Sequence, residues 1–360
     1  MNAPSHKQEA PYRLHRAALQ PLLGEACYGL AAKVINKEGE AGLLKFLQEQ
    51  GLAPMWANAL EQGGQSTFSS DFFDALHQYR MTATGEYLIQ RNRLKDLRKV
   101  LDGEAIPHVV YKGVAIRERF YQEPSLRPAV DIDVLVDQRD RTKAAKALHK
   151  AGFLFQGKAE NISHEASLIK GKCVIDLHWH ILRPGRTRRP MSRTLIETRQ
   201  DYGTHWGLSD EASFFVILVH PVFVRYSTTP LSSLMRLIDL LNLIEMDGWV
   251  WEKTLSLLDL AGLKTAAWIT LRWLQLLTGR SIEEEKLREV APGKVRQFYL
   301  NVWLEKNLAT RLLEKPALVQ TAFTLFAQDR PSDALRAIRL KKQAEKTAYE
   351  DLVNMESSLA

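Results

Sequence analysis

A short run of β-branched and acidic residues, AVDIDVLV at 129–136, lies between two long stretches of the sequence that have a helical pattern. Side chains alternate along a strand, so Asp131 and Asp133 would share one face with Leu135, while the opposite face is wholly apolar. The apolar face can pack in a core, but two like charges repel and are expensive to bury without a counter-charge. The run therefore predicts a strand with one packed face and one face that either binds a cation or meets solvent.

Mg²⁺ suits such an acidic face, because this hard cation is commonly held by one or two carboxylates together with substrate phosphates. Paired aspartates also occur in calcium-binding loops, which need a glycine and further oxygen ligands. The pair Asp131 and Asp133 lies instead in a β-branched run, which favours a strand.

The sequence on either side predicts an α+β fold. Helical periodicity extends to Gly103 and ends with one long amphipathic helix over 70–103, whereas 104–182 alternates short β-rich runs with helical segments. Helical periodicity then returns and continues to about residue 352. We expect a small mixed β-sheet core flanked by N-terminal helices and an all-helical C-terminal domain, with the three regions at 1–103, 104–200 and 201–360.

A strand followed at once by a helix is predicted for PHVVYKGVAIRERFY at 107–121. Gly113 would allow the backbone to approach a ligand, and the free N–H groups at the start of the helix favour phosphate. Lys112 would add a positive charge at the same turn. Taken alone, a Lys–Gly pair before a helix is more often an ordinary turn with a surface lysine.

A further strand is predicted for KCVIDLHWHIL at 172–182, with Asp176, His178 and His180 on one face. A third carboxylate beside the first two would complete a cluster able to hold two metal ions about 3.5–4 Å apart, as in displacement at phosphorus. The two histidines are also candidate zinc ligands, or polar residues that line a cleft.

Basic residues follow this strand closely. The formal net charge of +7 favours anionic ligands without identifying one. The arginines could neutralise a triphosphate or recognise an anionic acceptor, and a solvated basic loop is the alternative. They are Arg183, Arg186, Arg188, Arg189 and Arg193.

The only two cysteines, Cys27 and Cys173, are far apart and lack metal-ligand spacing, which predicts a reducing, cytoplasmic setting. The N-terminal residues have no apolar core of the kind that a signal peptide needs. The longest apolar stretch is broken by His220 and Pro221, so no membrane partner is expected.

Three blocks in order, YKG at 111–113, RPAVDID at 127–133 and VIDLHW at 174–179, resemble the polymerase-β-type nucleotidyltransferase superfamily. They resemble more closely the bacterial uncharacterised nucleotidyltransferase family, over about residues 40–280. The resemblance implies that Asp131, Asp133 and Asp176 are catalytic metal ligands, with Asp176 orienting or deprotonating the acceptor. It also implies that Lys112 and Gly113 bind the triphosphate and that Arg127 contacts phosphate or acceptor.

The implied activity is Mg²⁺-dependent transfer of a nucleoside monophosphate from a nucleoside triphosphate such as ATP, with release of pyrophosphate. The resemblance implies a two-metal site, which Mn²⁺ could also fill, and leaves open whether the acceptor is a small molecule, a protein or RNA. Val114 stands where the superfamily usually has a serine. Two other interpretations remain: a noncatalytic nucleotide-binding or protein-interaction module, and a nucleic-acid-binding protein with a basic groove.

Overall fold

A computed structural model of the chain describes residues 12–24, 28–63, 67–156, 164–225, 233–246, 248–307 and 315–340, with the single positions 343 and 357. Within these residues the fold is α+β, as predicted: a mixed sheet flanked by helices. Cys27 lies outside the described residues. No described helix combines the length and the hydrophobicity that a membrane span requires.

The N-terminal region is helical. Its last helix matches the predicted 70–103 segment, and it begins where the Ser69 side chain accepts a hydrogen bond from the Phe72 amide at 3.2 Å. The four helices are α1 (Arg13–Leu19), α2 (Gly29–Glu49), α3 (Ala53–Gln62) and α4 (Ser70–Gly103).

The sheet has the order β3-β4-β5-β2-β1-β7-β6. The predicted strands are present, and β4, β6 and β7 are strands that the sequence analysis missed. The strands are β1 (His108–Tyr111), β2 (Asp131–Val136), β3 (Leu154–Gln156), β4 (Glu165–Lys170), β5 (Cys173–His178), β6 (Gln200–Asp201) and β7 (Trp206–Gly207), and the intervening helices are α5 (Gly113–Phe120), α6 (Arg141–Lys150) and α7 (Ser192–Glu197).

Strand β2 is central to this arrangement. It pairs antiparallel with β1 and parallel with β5, which places Asp133 beside both Tyr111 and Asp176. The predicted alternation holds, because Ile132 and Val134 pack in one hydrophobic cluster and Leu135 packs in another. The acidic face of β2 is therefore continuous with an apolar surface that is covered by helices.

In the C-terminal region, the prediction that 201–360 is all-helical is wrong at its start, where β7 lies; from Asp210 onward the described elements are helices, and Trp251, Trp268 and Trp273 are buried. Its helices are α8 (Asp210–His220), α9 (Ser233–Ile244), α10 (Trp251–Ala261), α11 (Lys264–Thr278), α12 (Glu284–Val290), α13 (Lys294–Glu305), α14 (Ala317–Phe326) and α15 (331–340).

The packing crosses the predicted region boundaries. Gly207 of β7 pairs with Val110 of β1, so the sheet extends beyond residue 200. One hydrophobic cluster contains Trp56 from the N-terminal helices, Leu135 from the sheet and Trp273 from the C-terminal helices. The division of the chain into three regions at residues 103 and 200 stays a prediction. This hydrophobic cluster contains residues from all three regions.

Candidate active site

Two carboxylates meet at the centre of the sheet. Parallel pairing of β2 with β5 sets Asp133 directly beside Asp176, so their side chains project from the same face. Ligand atoms of Asp133, Asp176 and His178 all lie within 4.8 Å of one another. Carboxylate oxygens suit Mg²⁺ or Mn²⁺, so the donor set fits a divalent cation.

Asp131 lies at the start of β2, two residues before Asp133, and is half-buried. In the described part of the chain it does not belong to the compact group formed by Asp133, Asp176 and His178. Burial, followed by the charges of Asp133 and Asp176, raises the pKa of Asp131 to about 7. Burial and the neighbouring carboxylates thus disfavour the charged form of Asp131, and a bound cation would favour it.

Asp133 already has two partners. Its Oδ1 atom lies 2.8 Å from Lys112 Nζ and 2.7 Å from His178 Nε2. Burial opposes ionisation of this carboxyl group, but Lys112 and His178 outweigh it and hold the pKa of Asp133 well below its usual range. Asp133 is therefore a paired carboxylate.

Lys112 occupies the turn between β1 and α5, as predicted, but its side chain is buried rather than at the surface. Its backbone φ of 57° lies in the left-handed region, which is unusual for a residue other than glycine. Its ammonium group also lies 4.7 Å from the centre of the Tyr111 ring. Lys112 was expected to contact phosphate, but its ammonium group contacts the acidic face instead.

Gly113 begins α5 and packs against Arg127. A Cβ atom at this position would lie 2.9 Å from Arg127 Nη1, so the turn requires a residue without a side chain. Arg127 donates to both carboxylate oxygens of Asp239, at 3.0 and 2.7 Å, and both side chains are almost fully buried. The Arg127 guanidinium, which was expected to contact phosphate or acceptor, therefore forms an ion pair with a residue of α9.

The missed strand β4 contributes polar partners to the site. Ser167 donates a hydrogen bond to Asp176 Oδ1 at 2.6 Å, and Glu165 Oε2 lies 3.1 Å from His178 Nδ1. Burial raises the pKa of Glu165, and His178 and Lys112 oppose that shift. The polar residues at alternate positions of HEASLIK would have indicated these side chains once the segment was recognised as a strand.

The prediction that His180 shares the acidic face is wrong. Strand β5 ends at His178, so the alternation that the prediction extended does not reach His180. Burial, followed by the charge of Arg141, lowers the pKa of the His180 imidazole to about 4. His178 lies on the acidic face with Asp133 and Asp176, and His180 does not belong to that group.

A cleft of about 320 Å³ opens onto the acidic face. Asp131, Asp133 and Gly113 line this cleft together with residues of the N-terminal helices and α9. Val130, which is 85% exposed, lies in the loop that enters β2. Other lining residues are Tyr79, Thr82 and Glu86 of α4 and Met235 of α9.

The arginine-rich run does not form one patch. Arg188 pairs with Asp333 at 2.9 Å, and Arg193 pairs with Glu197 at 3.0 Å. Burial lowers the pKa of Arg186 to about 10, and its guanidinium lies 5.5 Å from the Phe223 ring centre. Arg183 and Arg189 are exposed. These contacts favour local structural roles for several of the arginines over a continuous basic groove.

The family model described as an uncharacterised nucleotidyltransferase matches residues 36–279, which is more than half of the chain. No curated protein and no solved structure matches the sequence. The matched region contains every residue of the acidic face and every residue that lines the cleft.

Proposed function

Since the chain belongs to the uncharacterised nucleotidyltransferase family, we propose that it transfers a nucleoside monophosphate from a nucleoside triphosphate to an acceptor and releases pyrophosphate. The proposed reaction depends on Mg²⁺, with Mn²⁺ as a substitute. The observation that carries the proposal is the pairing of Asp133 with Asp176 on adjacent parallel strands, on a face that opens to a cleft.

The three carboxylates have separate proposed roles. Asp131 and Asp133 hold the metal, and Asp176 orients or deprotonates the acceptor group that attacks phosphorus. Ser167 donates to one oxygen of Asp176, which fixes the carboxylate and leaves its second oxygen for the acceptor. A bound divalent cation supplies charge neutralisation for the triphosphate and the leaving pyrophosphate.

The phosphates are proposed to lie at the turn between β1 and α5. Gly113 permits close approach, and the first N–H groups of α5 point outward from the helix end. Arg127 stabilises this turn, because its guanidinium packs against Gly113 and is itself held by hydrogen bonds to Asp239. We therefore propose Arg127 as a positioning residue rather than as a direct phosphate ligand.

A second candidate function is a noncatalytic nucleotide-binding or protein-interaction module of the same fold. Two observations favour it: Lys112 already neutralises Asp133, and Val114, which is fully buried, offers no hydroxyl at the phosphate turn. Such a module would bind nucleotide without turning it over.

Turnover separates the two candidates. The full-length protein is incubated with each labelled nucleoside triphosphate and Mg²⁺, together with small-molecule, RNA and protein fractions of a lysate, and pyrophosphate release and the fate of the label are followed. We expect Asp131→Asn and Asp133→Asn to abolish Mg²⁺-dependent release, because Asn removes the charge that holds the metal and keeps the shape. Asp137→Asn, which follows β2 and pairs with Arg139, is the matched control.

If either variant released pyrophosphate at the wild-type rate, the metal assignment would be contradicted. If the wild type bound nucleotide but released no pyrophosphate, the noncatalytic module would be favoured. A cytoplasmic setting is part of the proposal, supported by the cysteine content of only two residues. Separation of cell extracts into cytoplasmic and membrane fractions tests that setting.

A further inference from the structure

Lys112 is the cation that lies closest to the acidic face. Its side chain is 7% exposed, and its Nζ atom lies 2.8 Å from Asp133 Oδ1 and 3.4 Å from His178 Nε2. The Tyr111 ring covers the ammonium group from another side. A long, flexible lysine side chain loses rotamer freedom when it is held in this way, so the contacts must compensate for that loss.

The backbone at Lys112 supports the same conclusion. Its φ of 57° with ψ of −136° is an unfavourable conformation for a residue with a Cβ atom. In the described residues, Ala105 and Asn307 are the other non-glycine positions with positive φ. Strain of this kind persists where surrounding contacts overdetermine it, and here the contact is the buried ion pair with Asp133.

The ammonium group and a divalent cation would compete for one carboxylate. Asp133 Oδ1 accepts from both Lys112 and His178, so this oxygen is already engaged. Two positive groups within a few ångströms of each other repel strongly where water is largely excluded. A metal ion held by Asp131 and Asp133 therefore requires that Lys112 move away from Asp133.

Building on the proposed function, we propose that Lys112 is an internal cation of the site: its ammonium group pairs with Asp133 before metal binds and leaves that carboxylate when metal is held there. The released ammonium group belongs to the residue directly before Gly113, so it then faces the proposed phosphate position at the start of α5. Metal loading and the arrival of a phosphate-binding cation are thereby coupled through one ion pair.

Binding of Mn²⁺ alone, without nucleotide, tests the competition. Calorimetry or electron paramagnetic resonance at pH 8 compares the full-length wild type with Lys112→Met, which keeps most of the side-chain stem and removes the charge. We expect Lys112→Met to bind Mn²⁺ at least about tenfold more tightly, because no ammonium group has to be displaced; tenfold corresponds to about 1.4 kcal/mol. Lys170→Met is the matched control, since Lys170 lies in the same sheet and donates to the Ala151 carbonyl.

Equal or weaker Mn²⁺ binding by Lys112→Met would overturn the inference, as would failure of both proteins to bind. The variant Asp133→Asn shows whether the Lys112 inference alone fails or whether the proposed metal site fails as well. If the wild type binds Mn²⁺ and Asp133→Asn does not, the metal site stands even when the Lys112 inference fails.

A measurement on the wild type avoids any dependence on the folding of the variant. Reductive methylation followed by mass spectrometry reports how accessible each lysine amine is. We expect added Mn²⁺ to increase the labelling of Lys112 several-fold and to leave that of Lys170 unchanged. Unchanged labelling of Lys112 at a saturating Mn²⁺ concentration would show that the ion pair persists, and would overturn the proposal.

Discussion

At the scale of single residues, Asp176 has a different environment from that of Asp133. Asp133 pairs with Lys112 and His178, whereas Asp176 accepts a hydrogen bond from neutral Ser167. If Asp176 serves the attacking group, Asp176→Asn should lower turnover by orders of magnitude while affinity for the Mg²⁺–nucleotide complex stays within a few-fold, since transition-state contacts act on rate.

Steady-state rates and calorimetric titration of the same preparation check this separation for Asp176. Ser167→Ala is the companion variant, because it removes the hydrogen bond and keeps the carboxylate. Equal losses of binding and rate in Asp176→Asn would indicate that Asp176 holds the metal instead.

Asp131 predicts a dependence of stability on pH. Burial, and then the charges of Asp133 and Asp176, raise its pKa from 3.8 to about 7. Because the folded-state value is the higher one, this group stabilises the fold fully below pH 3.8, and the contribution is lost as pH rises through 7. With a chelator present to remove metal ions, the melting temperature of the wild type should fall more steeply between pH 5.5 and 8 than that of Asp131→Asn.

Thermal melts of both proteins across that range check the prediction, and the difference between them isolates Asp131 from other titrating groups. Parallel curves would mean that Asp131 ionises in the folded protein as it does in the unfolded chain.

At the scale of elements, the buried pair Arg127–Asp239 joins the loop before β2 to α9. Both side chains are almost inaccessible, and Tyr121 also donates to Asp239 at 2.7 Å. Removing one partner leaves the other charge buried, so Asp239→Leu should lower the free energy of unfolding by about 3–5 kcal/mol. The double variant Arg127→Met with Asp239→Leu should recover part of this loss.

Denaturant titration measures both effects. Arg119→Met provides the comparison, because Arg119 pairs with Asp210 at 2.9 Å but is 39% exposed, and such pairs contribute about 0–1 kcal/mol. A double variant as unstable as the sum of the singles would argue against the coupling.

The start of α5 gives a second prediction for an element. Because Asp239 fixes Arg127, the guanidinium cannot yield to a Cβ atom at Gly113, and Gly113→Ala should lower the free energy of unfolding by about 1–3 kcal/mol. Gly85→Ala, inside α4 with open space around it, should instead add about 0.5–1 kcal/mol. A neutral Gly113→Ala measured by the same denaturant titration would contradict the close packing described for this turn.

At the scale of the whole molecule, the sheet depends on both helical regions. Val109, Tyr111 and Leu135 pack in the same cluster as Trp56 and Trp273. A fragment of residues 104–200 would expose that face and lose β7, so we expect it not to fold alone, whereas the full-length protein unfolds in one cooperative transition. Circular dichroism and the dispersion of proton NMR signals check this, and a folded fragment would support an independent domain.

Local periodicity was enough to predict most of the elements and the two acidic positions of β2. The long helix at 70–103 and the alternation along β2 follow from spacing of 3.6 or 2 residues, whereas the placement of Asp133 beside Asp176 depends on the pairing of β2 with β5. The family resemblance likewise rests on local blocks of sequence, and the family match bears it out.

Which charges pair depends on contacts between elements that are far apart in sequence. Lys112 with Asp133, Arg127 with Asp239 and Ser167 with Asp176 join residues whose separation in sequence carries no periodic signal. Strand β4 was missed because its period-2 pattern is short and mostly half-buried, and His180 was misplaced because periodicity does not report where a strand ends. Ion pairs and strand ends are fixed by burial and by neighbouring elements, which exist only once the chain has folded.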